Sequence, residues 1–337
     1  MTSPNRRGDV VVITGGSAGL GRAIANRFAT SGARLAITAR GRERLEQAKG
    51  ELEALGAQVR IFSEDVADAD AMERVAETVE RELGPIDIWI NNAMVSVFSP
   101  IKQMEPAEYR RVTEVTYLGY VYGTLAALRR MLPRNRGVIV HVGSALAHRS
   151  IPLQSAYCAA KHAVMGFHES LLSELIHDGS AVRTTIVQMP ALNTPQFDWV
   201  KTRLPNSPQP LPPVFQPEVG ADAVFFAAYH DVGRELLVGW PTVKVVEGNK
   251  IVAGYIDRKL ARDGYKGQQG EQPVSPDRQD NLWKPAPGAW RAHGRFDDIA
   301  RRKSLLLRVQ LQLDLLGDAL KRFVGPRRRT IGGGTEQ

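Results

Sequence analysis

The 337-residue sequence predicts an α/β fold: a doubly wound, mainly parallel seven-stranded sheet with helices on both faces, followed by a C-terminal extension. Three observations carry that expectation. Short apolar, β-branched runs alternate with longer stretches of helical periodicity through the first 190 residues. The runs are apolar at nearly every position, as befits strands covered on both faces. The first run ends in a glycine cluster that opens a helical pattern, the arrangement found at the head of βα series that bind nucleotides.

In order, strands are expected at Val10–Thr14, Arg34–Thr38, Gln58–Ser63, Ile86–Asn91, Gly137–Val142 and Val182–Val187, with Glu235–Gly239 closing the set. Helical patterns fill the intervals at Gly21–Ser31, Arg42–Leu55, Ala69–Leu83, Pro106–Met131 and Ala156–Asp178. After Pro190 the texture changes. Six prolines between Lys201 and Gly220 exclude an ordinary helix, and a loop this long inside a domain reads as a lid over a binding site. One domain is therefore expected over 8–250, including the proline-rich segment 195–219, and an extension over 251–337. Within the extension, 263–300 reads as irregular, held to the domain by Trp283 and Trp290. The basic segment 301–330 reads as an amphipathic helix, with Val309, Leu313, Leu316, Leu320 and Phe323 on one face.

Charge and cysteine content narrow the function. The net charge is +8, but residues 301–330 alone hold nine Lys or Arg against Asp314 and Asp318. The main domain is nearly neutral, so no nucleic-acid partner is expected. The basic end suits a self-packed or dimer-contact helix, with membrane-surface contact as the second reading. A single cysteine cannot form an internal disulfide, which fits a reducing compartment. The N-terminal residues lead straight into a strand, with no room for a signal peptide, and no run of 18 apolar residues occurs. A cytoplasmic location is the expectation.

The chemistry begins at Thr14-Gly15-Gly16-Ser17-Ala18-Gly19-Leu20-Gly21. Glycines let backbone amides approach phosphate oxygens, and the following helix N-terminus adds its positive dipole end. At the end of the second strand, Ala39 stands where an acidic residue would bind a ribose 2′-hydroxyl, and Arg40 follows. An arginine there accommodates a 2′-phosphate, so NADP(H) is expected over NAD(H). The plain alternative for Arg40 is a surface arginine, since Arg42 and Arg44 follow closely.

Further on, Tyr157 and Lys161 stand four apart in a helical pattern and share a face. A free phenol is a poor base at neutral pH, but a neighbouring ammonium favours the phenolate and makes the tyrosine a usable proton carrier. Ser144 lies 13 residues earlier, just after the fifth strand, at the carboxyl end of the sheet where ligands bind.

With these residues, Asp65-Val66 after the third strand and Asn91-Asn92-Ala93 after the fourth, the chain resembles the short-chain dehydrogenase/reductase family over residues 8 to about 245. The resemblance implies a Rossmann-type fold and a carbonyl–alcohol oxidoreductase. It implies Tyr157 as acid/base, Ser144 as donor to the substrate oxygen, and Lys161 as partner of the nicotinamide ribose. Asp65 and Val66 would line the adenine, Asn91 and Ala93 the adenosine-side ribose, and Pro190, Leu192 and Thr194 the nicotinamide side. A homodimer or homotetramer is implied through the helices Glu108–Arg130 and Tyr157–Ile176. Three positions depart from the family pattern. Thr116 stands where an asparagine supports a proton relay, Met94 replaces a glycine, and Met189-Pro190 replaces Pro-Gly.

Cys158 points about 100° away from Tyr157 on a helix and reads as a small buried hydrophobe. The seven histidines show no metal-ligand spacing. His148 lies in the loop after Ser144, on the substrate side, and no role is assigned to it. Leu146, Ile151, Leu153, Phe197, Trp199, Leu204, Leu211, Val214 and Phe215 are the expected pocket-forming residues, suiting a hydrophobic ketone, alcohol or lipid-like substrate. The competing reading, motivated by Thr116, Met94 and the extension, is a non-catalytic NADP(H)-binding sensor or scaffold.

Overall fold

A computed structural model of the protein describes residues 8–288 and 291–313. Seven strands form one parallel sheet: β1 (Val10–Thr14), β2 (Arg34–Ala39), β3 (Val59–Ser63), β4 (Ile86–Asn91), β5 (Val138–Val142), β6 (Arg183–Gln188) and β7 (Glu235–Leu237). Their order across the sheet is β7-β6-β5-β4-β1-β2-β3. Every pairing is parallel. The strand order reverses between β1 and β4, and a crevice opens at their carboxyl ends, where such sheets bind ligands.

Apolar runs become strands here because both faces are covered. All five β1 residues are buried, and they alternate between two cores. Val11 and Ile13 pack with α1 (Gly19–Ala29), α2 (Arg42–Ala54) and α7 (Pro217–Tyr229). Val10 and Val12 pack with α3 (Ala69–Glu82), α4 (Pro106–Thr113), α5 (Gly119–Arg134) and α6 (Ser155–His177). At ~1.5–3 kcal/mol per fully buried aliphatic side chain, this strand is a main anchor of the fold. Between α4 and α5 the chain does not break but passes through a π-turn, Glu114–Leu118, which re-aims the second half of the expected single helix.

Beyond β7 the structure departs from expectation. Gly239–Lys259 forms a long helix, α8, interrupted at Val252. Its periodicity is masked in the sequence by exposed apolar residues such as Ile251 and Tyr255. The proline-rich segment is not a free lid either. Lys201–Thr202 pairs in parallel with Val97–Phe98, and Asn206–Pro208 pairs in antiparallel with Gln269–Pro273 of the extension. Arg203 also donates two hydrogen bonds of 2.9 Å to the Glu108 carboxylate on α4. Burial raises the Glu108 carboxyl, but hydrogen bonds from Arg203 and the neighbouring backbone outweigh it and hold the group below the usual carboxylate range.

The extension is fastened differently from expectation. Trp283 is half exposed and Trp290 lies outside the described residues. Fully buried Leu282 and the carbonyls around it take up the anchoring role. Residues 305–313 are helical, but the inward face carries Leu307 and Leu311, while Val309 and Leu313 face solvent. Leu316, Leu320 and Phe323 lie outside the described residues. Among the described residues no helix is long and apolar enough to cross a membrane.

Candidate active site

The crevice is a cavity of about 620 Å³ that runs from the β2 end to α6. Its floor is the turn between β1 and α1. Gly15 and Gly19 adopt φ of +68° and +57°, which only glycine takes without strain. Gly21 packs so closely that a Cβ there would lie 2.1 Å from the Gly15 carbonyl oxygen. Gly15, Ser17, Ala18, Gly19, Leu20 and Gly21 all line the cavity, with the N-terminus of α1 directed at it. Thr14 does not line it. Its hydroxyl accepts from the Asn92 and Ala93 amides at 2.9 and 3.1 Å and so ties β1 to the end of β4.

At the β2 end, Ala39, Arg40, Asp65 and Val66 line the cavity, as does Arg44, which sequence reasoning passed over as a neighbour of Arg40. The Arg40 guanidinium donates to the backbone carbonyls of Asn281, Leu282 and Trp283. Asp65 pairs with Arg111, which also donates to the Leu282 carbonyl at 3.0 Å. Arg44 stacks over the Trp199 ring and pairs with no acid among the described residues. Burial pulls the Arg40 and Arg44 guanidiniums below their ordinary range. Two guanidiniums, neither in an ion pair with an acid among the described residues, make this end of the cavity a place for an anion.

On the β4 side, Ala93, Met94 and Val95 line the cavity, whereas Asn91 does not. Its amide accepts from Trp89 Nε1 at 2.9 Å and donates to Thr124 at 3.0 Å, fully buried beneath the sheet end. Pro190, Leu192 and Thr194 close the opposite wall. Of the expected pocket residues, Leu146, Ile151, Phe197, Trp199 and Leu211 face the cavity. Leu153, Leu204, Val214 and Phe215 are buried in the packing behind it. His148 pairs with Glu235 at 3.1 Å and does not line the cavity.

Ser144, Tyr157 and Lys161 converge at the inner end. The Ser144 amide donates to Gln188 Oε1 at 2.8 Å, which fixes the serine after β5. Burial pushes the Tyr157 phenol well above its ordinary range, and a hydrogen bond with Ser144 acts against that. Lys161 Nζ lies 5.7 Å from the Tyr157 ring centroid. Burial lowers the Lys161 ammonium to about 7. It is held by the Val142 carbonyl at 2.7 Å and the Tyr120 hydroxyl at 2.9 Å, and Tyr120 itself donates to Val142 at 3.0 Å.

Tyr120 is the partner that the sequence did not disclose. It stands one turn after Thr116, and only the close approach of α5, α6 and β5 puts it against the lysine. Thr116 is turned elsewhere. Its hydroxyl accepts from the Val95 amide at 3.0 Å and donates to the Val95 carbonyl at 2.9 Å, bracing the turn that follows β4. Cys158 is buried, and burial pushes its thiol up, as befits a packing residue. Among the described residues no three His, Cys, Asp or Glu side chains gather as a metal site.

The cavity fits a dinucleotide: a turn that tolerates no Cβ, a helix N-terminus, a cationic end and a buried Tyr–Lys pair lie along one crevice. Comparison with known proteins agrees. The family described as short chain dehydrogenase matches residues 9–203. An uncharacterized oxidoreductase, YxnA, of Bacillus subtilis is 30% identical over 281 residues, 83% of this chain and 79% of that protein. Human estradiol 17-beta-dehydrogenase 11 is 34% identical over 220 residues, 64% of this chain and 71% of that one. A fatty acyl-CoA reductase of Acinetobacter baylyi is 30% identical over 225 residues, 66% and 74%. Among solved structures, a metagenomic short-chain oxidoreductase in complex with NADP superposes with a TM-score of 0.59 at 28% identity, covering 70% of this chain and 98% of that one. An alcohol dehydrogenase from Thermococcus sibiricus, complexed with 5-hydroxy-NADP, gives 0.59 at 27%, covering 68% and 95%. With a family match over more than half its length and a crevice built for a dinucleotide, this chain belongs to the short-chain dehydrogenase family of oxidoreductases.

Proposed function

We propose that the protein interconverts a hydrophobic carbonyl compound and its alcohol with NADP(H). The observation that carries this reading is the single cavity joining Ser144, Tyr157 and Lys161 at one end to Arg40 and Arg44 at the other. When bound, the nicotinamide supplies or accepts the hydride. The protein's own residues handle the oxygen and its proton. Ser144 donates to the substrate oxygen and orients it. Tyr157 protonates that oxygen in reduction and takes the proton back in oxidation. Lys161, charged and held by Tyr120 and Val142, draws the buried phenol down toward a usable range and hydrogen-bonds the cofactor ribose.

Preference for NADP(H) is supported by Arg44, the unpaired guanidinium at the adenosine end, beside Arg40. The two solved relatives that bind NADP or 5-hydroxy-NADP are consistent with it. A hydrophobic substrate is supported by Leu146, Ile151, Phe197 and Leu211 around the inner end, and relatives named for estradiol and fatty acyl-CoA chemistry point the same way. Homo-oligomerisation through α5 and α6 is supported by exposed Leu125, Leu132 and Ile176.

The test is a screen of apolar ketones, aldehydes and alcohols with NADPH or NADP⁺. Tyr157→Phe is expected to abolish turnover, by at least a hundredfold, while NADPH still binds. Arg44→Ala is expected to weaken NADPH binding about tenfold and leave NADH nearly unchanged. Full activity in Tyr157→Phe would refute the assignment. Tight NADPH binding with no turnover across the panel would favour the sensor reading.

A further inference from the structure

The extension beyond α8 returns to the crevice at its adenosine end and at the glycine turn. At the adenosine end, the carbonyls of Asn281, Leu282 and Trp283 accept from Arg40. The Leu282 carbonyl also accepts from Arg111, the partner of Asp65. The Leu282 side chain is fully buried in the core that contains Val66, and Asn281 and Pro285 face the cavity directly. At the glycine turn, the Gly19 amide donates to the Arg291 carbonyl at 3.1 Å. Beyond it, Gly294 lies so close that a Cβ would fall 2.6 Å from the Thr194 carbonyl oxygen. Asp297 accepts from Asn193 at 2.8 Å and Gln216 at 2.9 Å.

These contacts join residues far apart in sequence, and two of them, at Arg40 and Gly19, fall on residues that line the cavity. A helix N-terminus and its glycine turn are anion sites because their amides are free to donate. Here one of those amides is taken by a carbonyl from the extension. That bond ties the second run to the glycine turn, so cofactor passage and the seating of this segment are coupled.

We propose that two runs of the extension, 281–285 and 291–297, are the outer wall of the cofactor site, position Arg40 within it, and must lift for the cofactor to enter or leave. The proposal rests on the reading that the crevice takes NADP(H). The first run lines the crevice at Asn281 and Pro285 and accepts from the Arg40 guanidinium, while the second packs on the glycine turn, where the Arg291 carbonyl accepts from the Gly19 amide. A ligand beneath both cannot exchange at the rate of an open groove. Leu282 is a positioning residue in this scheme: it touches no reacting atom and acts through Arg40 and Arg111.

The experiment is stopped-flow displacement of bound NADPH by excess NADP⁺, read by nicotinamide fluorescence, on the full chain. Leu282→Asp opens the first run and Gly294→Val the second. Each is expected to raise the NADPH dissociation rate at least tenfold, whereas Leu282→Met stays within twofold of the parent. Amide hydrogen exchange on the parent supplies a readout that needs no variant. Saturating NADPH is expected to change protection in 281–285 and 291–297 at least fivefold. Folded variants whose dissociation rates stay within twofold of the parent overturn the proposal. Should neither variant fold, unchanged exchange in both runs overturns it, and changed exchange supports it. A parent that binds no NADPH removes the cofactor reading and this proposal together; a parent that binds it with unchanged variants removes only the proposal.

Discussion

Replacing Tyr120 with phenylalanine removes one hydroxyl, and with it the hydrogen bond from Lys161 and the one to the Val142 carbonyl, while the rest of the pocket is unchanged. The ring stays, and so does its packing against the Lys161 ammonium, 4.6 Å from the ring centroid. The hydroxyl that accepts from Lys161 Nζ at 2.9 Å is lost, leaving the Val142 carbonyl at 2.7 Å as the remaining acceptor. A hydrogen bond to a charged group contributes ~1.5–3 kcal/mol, so the ionisation equilibrium of Lys161 moves roughly ten- to 150-fold toward the neutral amine. Burial already lowers that ammonium to about 7, so at neutral pH the variant's lysine is predominantly uncharged. Without the positive charge nearby, the Tyr157 phenol rises further, and on the proposed role of Tyr157 as base, alcohol oxidation slows. The expected result is a kcat at pH 7 lower by about ten- to a hundredfold, with the rising limb of the pH profile displaced to higher pH. Steady-state oxidation from pH 6 to 10 under saturating cofactor measures both. A profile superimposable on the parent's, with cofactor affinity and thermal midpoint unchanged, would show that Tyr120 does not hold the lysine's charge.

Two further outcomes follow from the same geometry. The buried Lys161 releases its proton at about 7 in the folded protein, whereas an unfolded lysine keeps it to about 10.4. Between those values the unfolded chain binds one more proton, so the contribution of this residue to stability rises with pH. Urea midpoints of the parent measured against Lys161→Met are expected to diverge upward from pH 7 to 10; a constant difference would contradict a depressed lysine. Gly21→Ala places a Cβ 2.1 Å from the Gly15 carbonyl oxygen, a contact that backbone cannot absorb in place. Thermal melts and NADPH titration are expected to show lower stability and at least tenfold weaker binding, and an alanine variant that binds normally would mean the turn is not the phosphate cradle.

Much of the fold was legible because it is written in local pattern. Seven apolar runs became the seven strands, each shifted by no more than about two residues at an end, since a strand buried on both faces must be apolar throughout. Ser144, Tyr157 and Lys161 were legible for a related reason. Two of them share a helix face, and the third sits at a strand end that the fold class places on the same crevice. Thr14 and Asn91 lie off the cavity, because polar residues at strand ends serve equally to fasten neighbouring elements: Thr14 ties β1 to the end of β4, and Asn91 bonds Thr124 on α5. The helix α8 was missed because its apolar residues are not confined to one face. The face of the 305–313 helix was misjudged for want of a known partner surface, and Leu307, not Val309, meets the core.

By itself the sequence determined the sheet and the glycine turn and singled out Ser144, Tyr157 and Lys161, all of which depend on residues close together in the chain or on the period of their pattern. The tertiary structure decided what those residues face. Tyr120 meets Lys161 across 41 positions, and Arg40 meets Leu282 across 242. Such encounters depend on where whole elements pack, and no local periodicity encodes them: the energy that seats Leu282 over the crevice comes from a core assembled by the rest of the chain.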